Sequence, residues 1–301
     1  MVTVVITCYD HGRFLRDAVR SVWRQTFTDL EVIVVDDGST DDTPAVAADL
    51  SEIQYIRQGH SGLSVARNTG WRASRGRYVS FLDADDRLLP DALRLGVACA
   101  AAHPDAAFVS GHYVVIDGSG LRLPGRPRPC VTSDHYQALL RSNYIGMHAT
   151  VLYRHETLER YGGFDPSLPA AEDYDIYLRV ARQAPVVCHP GLEAEYRWHG
   201  ANMSLDSGLM LKATLHVLCR QRAHARGHDR LERAYGEGVR FWQQLFGEPL
   251  LDEVGARVRT GGSWSAIARL LAVLLRYYPL GLARRTLRFT KRLIRGRVCL
   301  R

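Results

Sequence analysis

Short apolar runs alternate with amphipathic stretches through the first hundred residues. Residues 2–7 (Val-Thr-Val-Val-Ile-Thr) are apolar or β-branched throughout, as in a strand buried on both faces of a parallel sheet. Asp10-His11-Gly12 breaks the run. Over residues 13–25, Phe14, Leu15, Ala18, Val19 and Val22 recur at helical spacing and predict an amphipathic helix. A second apolar strand is expected over 30–35. Thr40-Asp41-Asp42-Thr43-Pro44 then supplies a helix start, with capping residues and an early proline. Residues 53–57 read as a third strand, 63–74 as a helix and 77–82 as a fourth strand. This alternation predicts βαβ units in an α/β, doubly wound, Rossmann-like and mostly parallel sheet.

Two of these strands run into acids. The second ends in Asp36-Asp37-Gly38-Ser39, the fourth in Asp83-Ala84-Asp85-Asp86. Like charges this close repel, and without a counter-ion some must stay protonated. Carboxylate oxygens are the ligands that Mg²⁺ and Mn²⁺ prefer, and ligands of open α/β sheets bind beyond the carboxyl ends of strands. Taken alone, the second cluster also reads as a solvated acidic turn, because Leu88-Leu89-Pro90-Asp91 resembles a helix start. Phosphoaspartate receivers and many nucleotide folds also end a strand in Asp-Asp. The pairing of the two acidic ends in one crevice is the stronger signal.

Composition changes this picture little and charge changes it more. The 301 residues are 46% hydrophobic and 24% charged, as in a globular protein, with room for one substantial core and a small appendage. Six cysteines lie scattered without CxxC spacing, which suits reduced, buried thiols better than a disulfide framework or a zinc site. The chain opens directly into a strand, with no signal-peptide pattern before it. Residues 261–301 carry ten arginines and lysines and no acid, so the rest of the chain nets about −3 of the total +7. That asymmetry asks for an anionic partner at the C-terminal end.

Several blocks in fixed order resemble the inverting family-2 glycosyltransferases of GT-A fold. They are Val4-Val5-Ile6-Thr7-Cys8-Tyr9-Asp10, Ser21-Val22-Trp23-Arg24-Gln25-Thr26-Phe27 and Val34-Val35-Asp36-Asp37-Gly38-Ser39-Thr40-Asp41. Next come Gly62-Leu63-Ser64-Val65-Ala66-Arg67-Asn68-Thr69-Gly70 and Phe81-Leu82-Asp83-Ala84-Asp85-Asp86. Gly162-Gly163-Phe164-Asp165, followed by Glu172-Asp173-Tyr174-Asp175, completes the set. Asp10 departs from it, since the family usually has Asn there, and it adds charge near the base pocket.

The resemblance implies that Thr7, Tyr9 and Asp37 hold the base and ribose end of a nucleotide-diphosphate sugar, a UDP-sugar by preference. Arg67 can fork onto uracil, ribose or diphosphate oxygens; its bland alternative is a surface salt bridge. Asp83 and Asp85 share one side of an extended segment. Asp85 is assigned as the direct ligand of Mn²⁺ or Mg²⁺, Asp83 to ribose or an outer-shell role, and Asp86 to structure. Asp173 resembles the general base for the acceptor hydroxyl, with Glu172 orienting it and Asp175 capping or binding acceptor; helix capping is the plain alternative for all three. His199, in Tyr196-Arg197-Trp198-His199, is expected to ligate the metal or bond the leaving phosphate. Gly163 and His148 are placed on the acceptor side, and Trp198 either stacks on a sugar or packs in the core.

The expected organisation is a GT-A domain over 1–205 (1–110 binding the nucleotide sugar, 111–205 the acceptor) and a helical region over 206–301. In the latter, helices are expected over 209–226 and 231–246, with a break at Gly261-Gly262. Residues 265–278 place Ile267, Leu270, Leu271, Leu274, Leu275 and Tyr278 on one stripe and Arg269 and Arg276 opposite, too short and interrupted for a membrane span. Beyond Leu282, Phe289 and Leu293 share one face and Arg284, Arg285, Arg288, Lys291, Arg292 and Arg295 fill the other. A basic amphipathic helix of this kind lies on an anionic membrane surface. The expected enzyme is therefore cytoplasmic and peripheral on the inner face of the cell membrane, with a glycan or lipid-linked acceptor. No nucleic-acid recognition pattern is present. The rival reading is a catalytically silent nucleotide-sugar-binding scaffold on the same fold. A same-fold nucleotidyltransferase would want a Gly-rich, basic phosphate loop near residue 10.

Overall fold

Seven consecutive buried residues, Val2–Cys8, form β1, the strand about which the first layer is built. The computed structural model describes residues 1–125 and 129–287. Helix α1 (Gly12–Trp23) buries Leu15, Ala18, Val19 and Val22 on one stripe. β2 (Leu30–Asp36), α2 (Thr43–Ala48), β3 (Gln54–Arg57), α3 (Leu63–Ala73) and β4 (Tyr78–Asp83) follow in the expected alternation. After β5 (Arg87–Leu88) come α4 (Ala92–Ala102), β6 (Phe108–Asp117), α5 (His135–Arg141), β7 (Val151–Arg154), α6 (His155–Tyr161), α7 (Glu172–Ala181) and β8 (Val186–Trp198).

The strands join in one eight-stranded sheet of order β3-β2-β1-β4-β7-β6-β8-β5. β1, β2, β3 and β4 are mutually parallel, whereas β7 runs antiparallel to both β4 and β6. The two acidic strands flank β1 and do not touch each other. Register places Cys8 beside Asp36 and Thr7 beside Asp83, so both acidic ends open at the carboxyl end of β1. The chain leaves β1 toward β2 and β3, then returns to its other side as β4. That reversal is where open α/β sheets form their ligand crevice.

Close packing of α3 on this layer depends on Gly70. A Cβ there would lie 2.2 Å from Val5 Cγ1, so any side chain forces helix and sheet apart. β6 and β8 pair in parallel with a register slip between Ser110 and His112, where His189, Pro190 and Gly191 bulge from β8.

Two compact units divide the chain: residues 1–139 with 143–202, and residues 140–142 with 203–301. In the second unit α8 (Ser207–Arg220) is followed by a separate short α9 (Arg222–Ala225), where one helix was expected to 226. Helix α10 (Asp229–Arg259) continues past residue 246 despite Pro249. Proline costs one backbone bond, but Leu250 and Leu251 beyond it pack with Leu211, Leu274 and Tyr278 in the unit's core. α11 (Trp264–Tyr277) buries Ile267 and Leu274, and Tyr278 beyond it is buried too, so three of the six residues of the expected stripe are spent inside the unit. Trp264, Leu275, Leu280 and Leu287 stay exposed. Among the described residues no single helix is long and apolar enough to cross a membrane; one pair, Trp264–Tyr277 and Pro279–Leu287, passes only together and is bent by 113°. The face expected from Arg288 to Arg295 lies outside the described residues.

Candidate active site

The loops after β1 and β2 are held by carboxylates that the protein itself satisfies. Asp36 is fully buried and accepts from Ser39 N at 2.8 Å and Tyr55 Oη at 2.5 Å, with Arg57 Nε 3.6 Å away. Asp10 sits at φ +54, a conformation that Asp and Asn tolerate better than other side-chain-bearing residues. Its Oδ1 accepts from Thr40 N at 2.6 Å. An amide oxygen would accept the same bond, which explains how Asp stands where the family pattern has Asn.

Asp37 Oδ1 accepts from Gln58 Nε2 (2.7 Å) and Ser61 N (2.9 Å), and Oδ2 from Gly62 N (2.8 Å), with His60 Nδ1 at 3.0 Å. Four donors match the lone-pair capacity of a carboxylate. The His60 ring also stacks on Tyr9, with centroids 4.1 Å apart. Tyr9 is 44% exposed. His60 thus holds the two contacts expected of a nucleobase, a ring on Tyr9 and an N–H to Asp37, and sequence reasoning passed over it.

The end of β4 is wired differently. Thr7 Oγ1 donates to Asp83 Oδ1 at 2.9 Å, as their register dictates. Arg67, 2% exposed on α3, reaches the same carboxylate through Nη2 (2.9 and 3.2 Å) and Glu172 through Nη1 (2.5 Å). Arg67 therefore forms a buried double ion pair, in contrast to the surface salt bridge that was its bland alternative. Burial opposes its charge, but Asp83, Glu172 and Asp173 outweigh that and raise its pKa. Its Nε is buried without a partner.

Asp173, partly exposed in the first turn of α7, accepts from Tyr174 N at 2.7 Å. Burial first, then the Glu172 charge, pushes its carboxyl up to about 7, against the pull of Arg67. A carboxyl poised there can take a proton near neutral pH.

Asp85 is 8% exposed, and its Oδ2 lies 2.9 Å from His199 Nε2. Ala201 N donates to His199 Nδ1, which leaves the ring proton on Nε2, aimed at Asp85. His11 completes a group with Asp85 and His199 whose ligand atoms all lie within 4.8 Å. One carboxylate and two imidazoles form a mixed oxygen and nitrogen set that favours a first-row transition ion such as Mn²⁺ over Mg²⁺. For His199 to bind it, the Nε2 proton must leave. Two further residues support this corner. Arg197 donates from its backbone N to Asp86 Oδ1 and from Nε to Asp85 O, both at 2.7 Å. Phe14, expected on the core stripe of α1, instead stacks on His199 at 5.3 Å. Asp86 is buried, and burial followed by the Asp85 and Asp83 charges lifts its pKa well above the carboxylate range.

The remaining expected positions lie deeper or farther out. His148 is 6% exposed and caged by Phe81, Tyr153, Phe164 and Tyr177. Burial and then Arg67 hold its pKa well below the ordinary imidazole value, so the ring is neutral. Asp175 is buried and tied to Arg179 Nε at 2.7 Å. Gly163, at φ +65, leaves only 2.4 Å between a built Cβ and Asn68 Oδ1, and its carbonyl accepts from Arg179 Nη2. These three form packing and ion-pair braces beneath the start of α7. Trp198 is exposed and so is not a core residue.

Comparison with known proteins fits this layout. The family model for glycosyl transferase family 2 matches residues 3–162. An uncharacterized glycosyltransferase of Nostoc sp. is 33% identical over 218 residues, 68% of this chain and 67% of the relative. A chondroitin synthase of Escherichia coli is 31% identical over 190 residues, 62% of this chain but 27% of that much longer protein. Among solved structures, Staphylococcus aureus TarS 1–349 in complex with UDP-GlcNAc superposes with TM-score 0.63 at 17% identity, covering 79% of this chain and 71% of that one. The mannosyltransferase PcManGT from Pyrobaculum calidifontis, in complex with GDP-Man and Mn²⁺, gives 0.59 at 21% identity over 92% and 81%.

Proposed function

Because the chain belongs to glycosyltransferase family 2 and has the GT-A fold with a helical C-terminal region, we propose that it is an inverting enzyme. Its donor is a nucleotide-diphosphate sugar, UDP-sugars foremost, and its acceptor a hydroxyl of a glycan or lipid-linked saccharide. The observation that carries the reading is Asp173, a largely buried carboxyl raised to about 7 beside Glu172 and Arg67.

In this reading Asp173 takes the proton of the acceptor hydroxyl as its oxygen bonds to the anomeric carbon. The bond from that carbon to the diphosphate oxygen breaks, the electron pair leaves with the nucleoside diphosphate, and a single displacement inverts the configuration. Thr7, Tyr9, Asp37 and Asp83 hold the base and ribose end, once His60 vacates Tyr9 and Asp37. Arg67 fixes Asp83 and Glu172 in one field. Asp85, with His199 and His11, would hold Mn²⁺ or Mg²⁺, which when bound neutralises charge on the leaving diphosphate. Neighbouring structures with UDP-GlcNAc or with GDP-Man and Mn²⁺ support a nucleotide-sugar donor without selecting its base.

The test is a screen of UDP-, GDP- and dTDP-sugars for acceptor-dependent release of the nucleoside diphosphate, with the product anomer read by NMR. Transfer with inverted configuration is expected. Retained configuration overturns the single displacement, and binding without turnover favours the silent scaffold.

The same reading puts the enzyme on the inner face of the cell membrane. Residues 283–301 carry eight arginines and lysines without an acid, each contributing about 1 kcal/mol near an anionic surface. Exposed Trp264, Leu275 and Leu280 add apolar contacts. Removing residues 283–301 should release the protein from anionic vesicles in sedimentation, and salt should weaken binding of the whole chain. Equal binding to neutral vesicles sinks the idea.

A further inference from the structure

Outside the active-site crevice, the fold gathers three soft ligands that lie far apart in sequence. His112 stands on β6, Cys188 at the start of the β8 bulge, and Cys130 in the segment before α5. Cys130 Sγ lies 3.3 Å from His112 Nε2 and 3.1 Å from Cys188 Sγ, and all three ligand atoms fall within 4.8 Å of one another. His112 is buried, and both cysteines are partly buried.

We propose that His112, Cys130 and Cys188 form a binding site for a thiophilic divalent cation of the Zn²⁺ class, distinct from the carboxylate site at Asp85. Two thiols and an imidazole match the ligand preference of Zn²⁺, and three protein ligands leave a fourth position for water. A tetrahedral site with Zn–S of about 2.3 Å separates its sulfurs by about 3.8 Å. From the observed 3.1 Å the two sulfurs need to spread by about 0.7 Å, within reach of side-chain torsions. A disulfide would instead require the sulfurs to close to about 2.05 Å, and it would leave His112 without a part. Register supplies part of the site: Cys188 pairs with Ser110, two positions from His112 on β6, and the β8 bulge begins immediately after it. Metal binding releases the two thiol protons and fastens the segment before α5 to the β6–β8 pair.

Cobalt tests this on the full chain, reduced and stripped of metal. One equivalent of Co²⁺ should produce sulfur-to-cobalt charge-transfer absorption, which a carboxylate and imidazole site cannot give, and Zn²⁺ should bleach it. Cys130→Ser and Cys188→Ser should each lose the band and weaken Zn²⁺ binding at least tenfold, while Cys219→Ser keeps both. Asp85→Ala should keep the band whatever becomes of transfer activity, which separates this site from the glycosyltransferase reading. Far-ultraviolet circular dichroism checks that the serine variants fold; should one not, His112→Ala takes its place. No thiolate band in the parent protein, a band that survives in folded Cys130→Ser and Cys188→Ser, or a Cys130–Cys188 disulfide in the reduced protein would overturn the proposal.

Discussion

The loops after β2 and β4 both cluster carboxylates, yet the protein treats them oppositely. Asp36 and Asp37 are saturated by backbone amides, a tyrosine, a glutamine and two basic side chains. Beyond Asp83, in the loop after β4, and at the start of α7 donors are fewer: Asp85 meets a single imidazole, and Asp86 and Asp173 are pushed toward their protonated forms. A carboxylate with its full complement of donors is a structural post. One buried among like charges with too few donors costs stability, and such frustrated charge collects where ligands bind or protons move.

The contrast breaks most sharply at Asp85. Asp85→Ala should lower transfer by at least ~10³, because several kcal/mol of charge stabilisation on the leaving group depends on it. Its melting temperature should hold or rise. Calorimetry of UDP with and without Mn²⁺ should show metal-enhanced binding in the parent protein and none in the variant.

Asp173→Asn should cost roughly 10²–10⁴ in rate and leave donor binding nearly intact, the range usual for a general base. The parent's kcat/KM should fall on an acid limb near pH 7, since Asp173 must be ionised to act. The stability sign follows from linkage. Between the unfolded value of about 4 and the folded value of about 7, the native state binds more protons, so its stability falls as pH rises. Above pH 7 the Asn variant should therefore melt no lower than the parent. A parallel drop in both would place Asp173 among the structural posts.

Asp37→Ala tests the other side. It orphans the amides of Ser61 and Gly62 and should cost about 2–3 kcal/mol of stability, read by urea unfolding. The smallest effect belongs to His60. Removing a ring that occupies Tyr9 and Asp37 should tighten UDP binding about two- to fivefold, equivalent to roughly 0.5–1 kcal/mol. Weaker binding would make His60 part of the base site and not its occupant.

The parallel layer and its acids were legible because each is written in contiguous residues: an apolar run, then carboxylates at its end. What escaped the sequence depends on distance along the chain. β8 carries Pro190 and Gly191, residues that interrupt a strand pattern, and they lie in its bulge. His11 and His60 carry no local signature, and only the fold brings one to Asp85 and the other to Tyr9. Arg67 was expected to reach a bound donor, and its buried ion pairs went unread because its partners, Asp83 and Glu172, lie 16 and 105 positions away. The cysteines seemed scattered for the same reason: Cys130 and Cys188 are 58 residues apart and their sulfurs adjacent. Local pattern also stopped α10 at Pro249's approach, where tertiary packing overrode the proline.

The Arg67 bridge limits how this architecture can be recombined. A single guanidinium is the shared counter-ion of Asp83, from the amino-terminal segment, and Glu172, from the carboxyl-terminal one. A chimera spliced anywhere between β4 and α7 inherits one end of that bridge from each parent. If the second parent lacks an acid at the position of Glu172, Arg67 keeps a buried charge only half-compensated, a change expected to cost several kcal/mol before any substrate is met. Donor and acceptor preferences encoded in the two segments are therefore exchangeable as modules only between parents that keep both ends of the bridge.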